Sequence, residues 1–287
     1  YSLYGNDKKP RKEWMDGVDV MMFDIQDVGC RFYTYNATMA RMMAVCAKNG
    51  KKMIVLDRPN PIGFYVDGPI LDMKYKSGVG YLPVPVCHGM TLGELAQMIN
   101  GEKWLPDGIQ CDLTVIKCKN YTHKSKYVLP VKPSPNLPDM RSIYLYPSTC
   151  YFEATPVSLG RGTAWAFQMY GHPNMLGYKF SFTPRSIQGA KFPPQLDKKC
   201  YGVDLRRKPS NDEINAKGIN LEYVIDAYRN LNLDNHFFRP FFELLIGRDY
   251  VRKMIMDGKS ADEIKAMWAE DVANFKIQRK PYLLYAE

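Results

Sequence analysis

Apolar and polar positions follow two rhythms along the first half of this chain. Short apolar runs at residues 18–23, 52–56, 82–87 and 111–116 have the length and continuity of buried strands. Between them, apolar residues recur at helical spacing over 35–48 and again after Thr91-Leu-Gly-Glu94, whose hydroxyl and carboxylate three residues apart predict a capping box. Strand and helix in alternation predict an α/β arrangement, a parallel sheet covered on both faces.

The rhythm breaks between Pro130 and Pro147, where five prolines argue against regular structure and mark a crossover between two lobes, 1–147 and 148–287. The second lobe reads as a smaller α+β unit. It has strand-like runs at 178–183 and 201–205, a short helix from about Ala164, and helices at 221–231, 249–256 and 261–275. Ser260-Ala-Asp-Glu263 opens the last of these with a second capping box.

Composition narrows the class. Of 287 residues, 46% are hydrophobic, enough to build a core and too many for disorder. No apolar run is long enough to span a membrane. The net charge of +9 is spread thinly, with its densest runs at 8–12 and 117–126 in loop-like sequence, which argues against a nucleic-acid surface. The seven cysteines form no C-x-x-C pair, and with four scattered histidines they predict no zinc site and no disulfide framework; most lie in apolar stretches as small buried hydrophobes. The opening Tyr1-Ser2-Leu3-Tyr4-Gly5 reads as the inside of a fold, so a preceding segment is expected, and with it an exposed apolar sheet edge in the chain as it stands.

Ligands of an open parallel sheet collect outside the carboxyl ends of its strands. Three of the runs end in polar clusters: Asp24, Gln26, Asp27 and Arg31 after Phe23; Asp57, Arg58 and Asn60 after Leu56; and His88 after Cys87. A single such cluster is explained by a helix cap or an Asx turn, but three on one edge predict a cleft. No dinucleotide fingerprint, P-loop or nucleophile elbow accompanies them. Carboxylates, arginines, one histidine and tyrosines such as Tyr33 and Tyr35 are the equipment of a sugar site, although either tyrosine alone is as well explained by packing.

A second constellation follows the crossover. Glu153 sits among apolar neighbours in Tyr151-Phe-Glu-Ala154, where an unpaired carboxyl is held protonated and suits a general acid. Paired with Arg161 or Arg141, the same residue is instead a staple between lobes. Gly160-Arg-Gly-Thr163 presents a forked cation between two flexible residues, a fit for a carboxylate or phosphate.

Phe23-Asp-Ile-Gln-Asp-Val-Gly29, Arg31-Phe-Tyr-Thr-Tyr35, Val55-Leu-Asp-Arg-Pro-Asn-Pro61, His88-Gly-Met-Thr91, Pro133-Ser-Pro-Asn136, Phe152-Glu153, Gly160-Arg-Gly-Thr163 and Arg279-Lys-Pro-Tyr-Leu-Leu-Tyr285 occur in this order. Together they resemble the NamZ-type exo-β-N-acetylmuramidases over almost the whole chain. The resemblance implies a Rossmann-like domain, a smaller C-terminal domain and a cleft between them. It implies release of N-acetylmuramic acid from the non-reducing ends of peptidoglycan fragments, without a cofactor or metal, in the periplasm or outside the cell. No nucleic-acid partner is expected, and oligomeric state is not legible.

Glu153, Asp24 and Asp27 are the expected catalytic carboxyls, and Gln26, Arg31, Tyr33, Asp57, Arg58, Asn60, His88, Asn136 and Arg161 the expected sugar contacts. Arg161 and Arg58 are the cations expected to read the lactyl carboxylate, which N-acetylglucosamine lacks. Two departures stand against the pattern. The upstream Phe-x-Pro-Glu-His-Gly-like motif does not occur, and Leu159 stands where relatives carry a glutamate. Both favour a second reading, a wall-sugar binding protein without catalysis; the glycine-flanked turn alone would fit a phosphosugar enzyme.

Overall fold

The computed structural model describes residue 3 and residues 9–287; Tyr1, Ser2, Tyr4, Gly5 and Lys8, which belong to the opening segment and the first basic run, lie outside the described residues. After a short helix α1 (Lys12–Asp16), the first lobe is built on β1 (Val20–Phe23), β2 (Lys52–Leu56) and β3 (Leu113–Ile116), in the order β1-β2-β3. All pairings are parallel, with Phe23 opposite Val55 and Leu56 opposite Ile116. Helices α2 (Tyr35–Lys48) and α3 (Leu92–Gly101) are the crossovers. The capping box at Thr91 and Glu94 is formed as the spacing predicts.

The sheet is not covered on both faces among the described residues. Phe23, Met53 and Val55 turn into a core with Met39, Met43, Leu95 and Ile99 of α2 and α3. The alternate positions Val20, Met22 and Ile116 are exposed, because strand periodicity sends them to the other face. Residues 82–87 form no strand either. Pro83 and Pro85 remove the amide donors a ladder needs, and only Cys87 pairs, in isolated bridges to Cys30 and Asp67.

The proline-rich crossover also departs from expectation. Its last part is helix α4 (Met140–Thr149), capped by Asp139, with Pro147 inside it. Four of the five prolines precede the cap, and the helix buries Ile143, Leu145 and Tyr146. The second lobe carries an antiparallel sheet in the order β4-β6-β5, from β4 (Met169–His172), β5 (Phe180–Phe182) and β6 (Cys200–Asp204). Helices α5 (Asn211–Lys217), α6 (Glu222–Leu231), α7 (Phe241–Ile246), α8 (Tyr250–Met256), α9 (Ala261–Ala266) and α10 (Ala269–Arg279) complete it. The stretch read as one helix from 261 to 275 breaks at Trp268, whose indole turns inward to donate to Asp67 at 2.9 Å. The residues after Ala164 form turns rather than a helix.

The two lobes share one core. Val28, Cys30, Phe32 and Ile62 of the first lobe pack in the same buried cluster as Tyr151, Phe152, Phe242 and Trp268 of the second. Asp67 adds a polar tie, accepting from Trp268, Lys265 and the Ile219 amide. Six of the seven unpaired cysteines are buried, with Cys118 the partly exposed one.

Candidate active site

The carboxyl ends of β1 and β2 open into a narrow cleft lined by Gln26, Asp27, Arg58, Asn60 and the backbone around Thr91. Its floor is fixed by polar bonds the sequence places locally. Asp57 accepts from the Thr91 hydroxyl at 2.6 Å, the Gly93 amide at 2.8 Å and the Tyr285 hydroxyl at 2.7 Å, so its carboxylate caps α3. Asn60 accepts from the Ile62 amide at 2.9 Å and donates to the Met90 carbonyl at 2.8 Å, joining the strand-end loops. Gln26 donates to the Pro59 carbonyl at 2.9 Å. These three side chains therefore shape the cleft.

Asp27 differs from all of them. It is buried, and its Oδ1 accepts from the Gly29 amide at 2.7 Å, while Oδ2 has no partner. Burial outweighs the neighbouring amides of Gly29 and Val28 and pushes its pKa up to about 7. The cleft beside it has room for about one water, roughly 10 Å³. Asp24 and Arg58 stand at the rim as an ion pair of 2.7 Å, each about half exposed.

Three more of the expected sugar contacts are engaged in framework bonds away from the cleft. Arg31 is buried and donates to the carbonyls of Pro69, Val84, Leu245 and Ile246, which makes it a bolt between lobes; burial lowers its pKa to about 10. His88 is fully buried. Its Nδ1 accepts from the Met90 amide at 3.2 Å, so the proton sits on Nε2, and burial beside Arg279 and Arg31 lowers its pKa to about 3. It is a neutral ring outside the lining of the cleft. Tyr33 donates to the Pro133 carbonyl at 2.9 Å and packs edge-on against Tyr35 and Tyr146.

In the second lobe Glu153 is not a lone buried acid. Its Oε1 accepts from Arg161 Nη2 at 2.5 Å, and Arg141 is spent on Leu205, Pro209 and Asn211. The Arg161 guanidinium also lies over the Phe167 ring, 5.2 Å from its centroid. Phe167 has φ 65°, a backbone region costly for an aromatic residue, and its amide is held by the Leu159 carbonyl at 2.7 Å. Gly162 has φ +83°, and a Cβ there would lie 2.6 Å from the Arg185 carbonyl. Asn136 donates to the Gly189 carbonyl at 3.0 Å and secures the neighbouring loop. Leu159, where a relative's acid is expected, is in the core.

Burial pushes the thiols of Cys30 and Cys150 up, with Cys87 adding to the first and Glu153 to the second. Sequence reasoning assigned Glu94 a cap and missed its larger role. It also accepts from His123 at 2.9 Å and from the Leu284 amide at 2.8 Å, so the C-terminal strap holds the back of the cleft. The carboxyl ending of β2 opposite the closing tyrosine Tyr285 was the available signal.

A buried protonatable carboxyl lines the strand-end cleft of the first lobe, and a carboxylate paired with a guanidinium stands in the second lobe, outside that lining; these groups on an α/β fold are the equipment of a carboxyl-dependent hydrolase. Comparison with known proteins makes the class specific. The profile described as Exo-beta-N-acetylmuramidase NamZ, N-terminal, matches residues 1–141, and its C-terminal counterpart matches 144–285. The chain belongs to this family. It is 39% identical over 303 aligned positions to the Peptidoglycan beta-N-acetylmuramidase NamZ of Bacillus subtilis (strain 168), covering 99% of this chain and 72% of the relative. A crystal structure of a DUF1343 family protein from Bacteroides fragilis NCTC 9343 is 66% identical, with a TM-score of 0.95 over 97% of this chain and 78% of that one. A second from the same strain is 29% identical, with a TM-score of 0.83 over 99% of this chain and 79% of that one.

Proposed function

We propose that this protein is an exo-acting β-N-acetylmuramidase that releases terminal N-acetylmuramic acid from the non-reducing end of peptidoglycan fragments. Family membership over both lobes carries the reaction class. The observation that carries the mechanism is Asp27, whose unpartnered Oδ2 and pKa near 7 fit a proton donor to a glycosidic oxygen. The space beside Asp27 has room for about one water, so the sugar lies across the open mouth of the cleft and reaches Asp27 with an exocyclic atom.

Glycoside hydrolysis needs a second carboxyl for water or the anomeric carbon. Glu153 fills that role from the opposite lobe, with Asp24 a rim contact. One Nη2 donor of Arg161 is engaged with Glu153. The remaining donors of a guanidinium are free to take a lactyl carboxylate, the group that separates muramic acid from glucosamine. Because wall glycan lies outside the cytoplasmic membrane, we infer a periplasmic or secreted location. Incubation with the disaccharide N-acetylmuramyl-β-1,4-N-acetylglucosamine tests the reading: free N-acetylmuramic acid is expected by mass spectrometry. Binding of the intact disaccharide without release would instead establish a sugar-binding protein, the reading that Leu159 favours.

A further inference from the structure

The loop that carries Arg161 also contributes Trp165 and Gln168 to a second surface. Residues 159–168 are closed at their base by the Phe167 amide on the Leu159 carbonyl, at 2.7 Å, and by the Gln168 amide on the Trp165 carbonyl, at 3.1 Å. Trp165 stands out from this loop 45% exposed, although burial of a tryptophan is among the larger gains available to a fold. Beside it opens a groove of about 570 Å³, lined by Arg141, Trp165, Gln168, Asp204, Arg206 and Arg207, with Asp139 at one end.

The groove has a rigid wall. Arg206 lies 4.7 Å from the Trp165 ring centroid and 5.3 Å from that of Phe180, so its guanidinium is layered between two aromatic faces. Asp204 holds it there with bonds of 2.8 Å to Nε and 2.7 Å to Nη2. Nη1 of Arg206 takes no part in those bonds and remains a donor. Across the groove, Arg141 donates to the Leu205 and Pro209 carbonyls and to the Asn211 amide oxygen, with the Asp139 and Asp204 carboxylates in electrostatic reach. Gln168 donates to both oxygens of Asp139 at 3.0 Å, which ties that carboxylate back. Arg207 is exposed and makes no hydrogen bond or ion pair among the described residues. Three guanidiniums thus face two carboxylates that are already engaged.

The remaining Nη1 donor of a fixed guanidinium, an exposed guanidinium without a hydrogen bond among the described residues and a half-exposed indole form a site for an anion carried on an apolar body. We propose that this groove is a subsite for the acidic peptide stem of a muropeptide, with Arg206 and Arg207 taking a stem carboxylate and Trp165 covering its aliphatic part. The assignment rests on the muramidase reading above, since the stem hangs from the lactyl group that Arg161 is positioned to meet. The Arg161 turn and Trp165 belong to one short loop, four positions apart, which is the link between the lactyl contact and the groove.

The test compares kcat/KM on two substrates: the muramyl disaccharide alone, and the same disaccharide bearing L-alanyl-D-glutamate on its lactyl group. The ratio of the two should fall about three- to tenfold in Arg207→Gln and in Trp165→Ala. Arg207 is exposed and without a hydrogen bond among the described residues, so Arg207→Gln should keep the wild-type melting temperature, while Trp165→Ala should lower it a little through the lost stacking with Arg206. An equal loss on both substrates, or no change in the ratio, would overturn the subsite. If the wild type cleaves neither substrate, the muramidase reading fails separately, and calorimetric titration with L-alanyl-D-glutamate then decides the groove. Saturable binding that Arg207→Gln weakens supports it. Absence of binding, or a dipeptide displaced by inorganic phosphate at equal concentration, overturns it in favour of no site or a phosphate site.

Discussion

Asp27 and Glu153 are both carboxyls set among apolar residues, one at the end of a parallel strand and the other after a helix, and the fold treats them oppositely. Asp27 has no counter-charge and one empty oxygen, so burial keeps its proton up to a pH of about 7. Glu153 meets Arg161 at 2.5 Å with both side chains about a quarter to a third exposed. Apolar neighbours in sequence are similar for the two. What separates them is whether a cation arrives from elsewhere in the chain, and a proton donor therefore belongs on the first lobe while the second supplies fixed charge.

The sharpest way to break this comparison is to remove the proton-transfer capacity of each in turn. Asp27→Asn should lower kcat by about 10²–10⁴ while preserving shape. In the unaltered protein, activity should fall as pH rises through about 7, where Asp27 loses its proton. Stability should move with it. The folded pKa is raised, so the stabilisation is fully present below about 4 and is lost as pH rises through about 7; a displacement from 3.8 to about 7 corresponds to at most about 4 kcal/mol. The asparagine variant should accordingly gain melting temperature relative to the parent at pH 8 and not at pH 4, by differential scanning calorimetry. Glu153→Gln should also lower kcat, with no gain of stability at high pH. Normal turnover in Glu153→Gln would leave it a staple and return the chemistry to the first lobe.

The next test acts on the turn that brings Glu153 its cation. Gly162 combines φ +83° with a carbonyl and a proline ring both 2.6 Å from where a Cβ would stand. Gly162→Ala should therefore cost about 1–3 kcal/mol from backbone strain alone and more from the collision, read as a lower midpoint in urea. At a permissive temperature it should also weaken muramyl binding, because Arg161 is displaced. A loss of stability with unaltered binding would show that the turn is architecture only.

Local sequence made much of this legible and failed where partners come from afar. The strand runs, α2, β2 and the capping boxes at Thr91 and Ser260 follow from periodicity and short-range polar spacing. The strand-end rule located the cleft and brought Gln26, Asp27, Arg58 and Asn60 to it. Arg31 looked like a ligand group because nothing nearby in sequence satisfies it; its four carbonyl partners include Leu245 and Ile246, more than 200 positions away. His88 misled for the same reason, since Arg279 supplies part of what keeps it neutral. The run at 82–87 failed differently, by giving hydrophobicity more weight than two prolines. Exposure of Trp165 and its layering with Arg206 and Phe180 depend on strand pairing in the second sheet, which no local pattern encodes.

The smallest expected effect separates charge from geometry at Arg161. Lysine keeps the cation but loses the planar fork, which here points one arm at Glu153 and lays its face over Phe167. Stability should change little, by about 1 kcal/mol or less, because the pair is partly exposed and screened by solvent. Recognition should change more. A guanidinium can hold Glu153 with one nitrogen and a substrate carboxylate with another, whereas an ammonium must divide three donors from a single point. Arg161→Lys should therefore reduce the preference for muramyl over glucosaminyl substrates by about tenfold or less in kcat/KM, with kcat on muramyl substrates nearly retained. Equal losses on both sugars would mean that Arg161 only orients Glu153, and that the lactyl group is read by Arg58 at the rim of the first lobe. Repeating the pair of measurements in Arg58→Gln distinguishes these arrangements, since the side chain with the selective loss is the one in contact with the lactyl carboxylate.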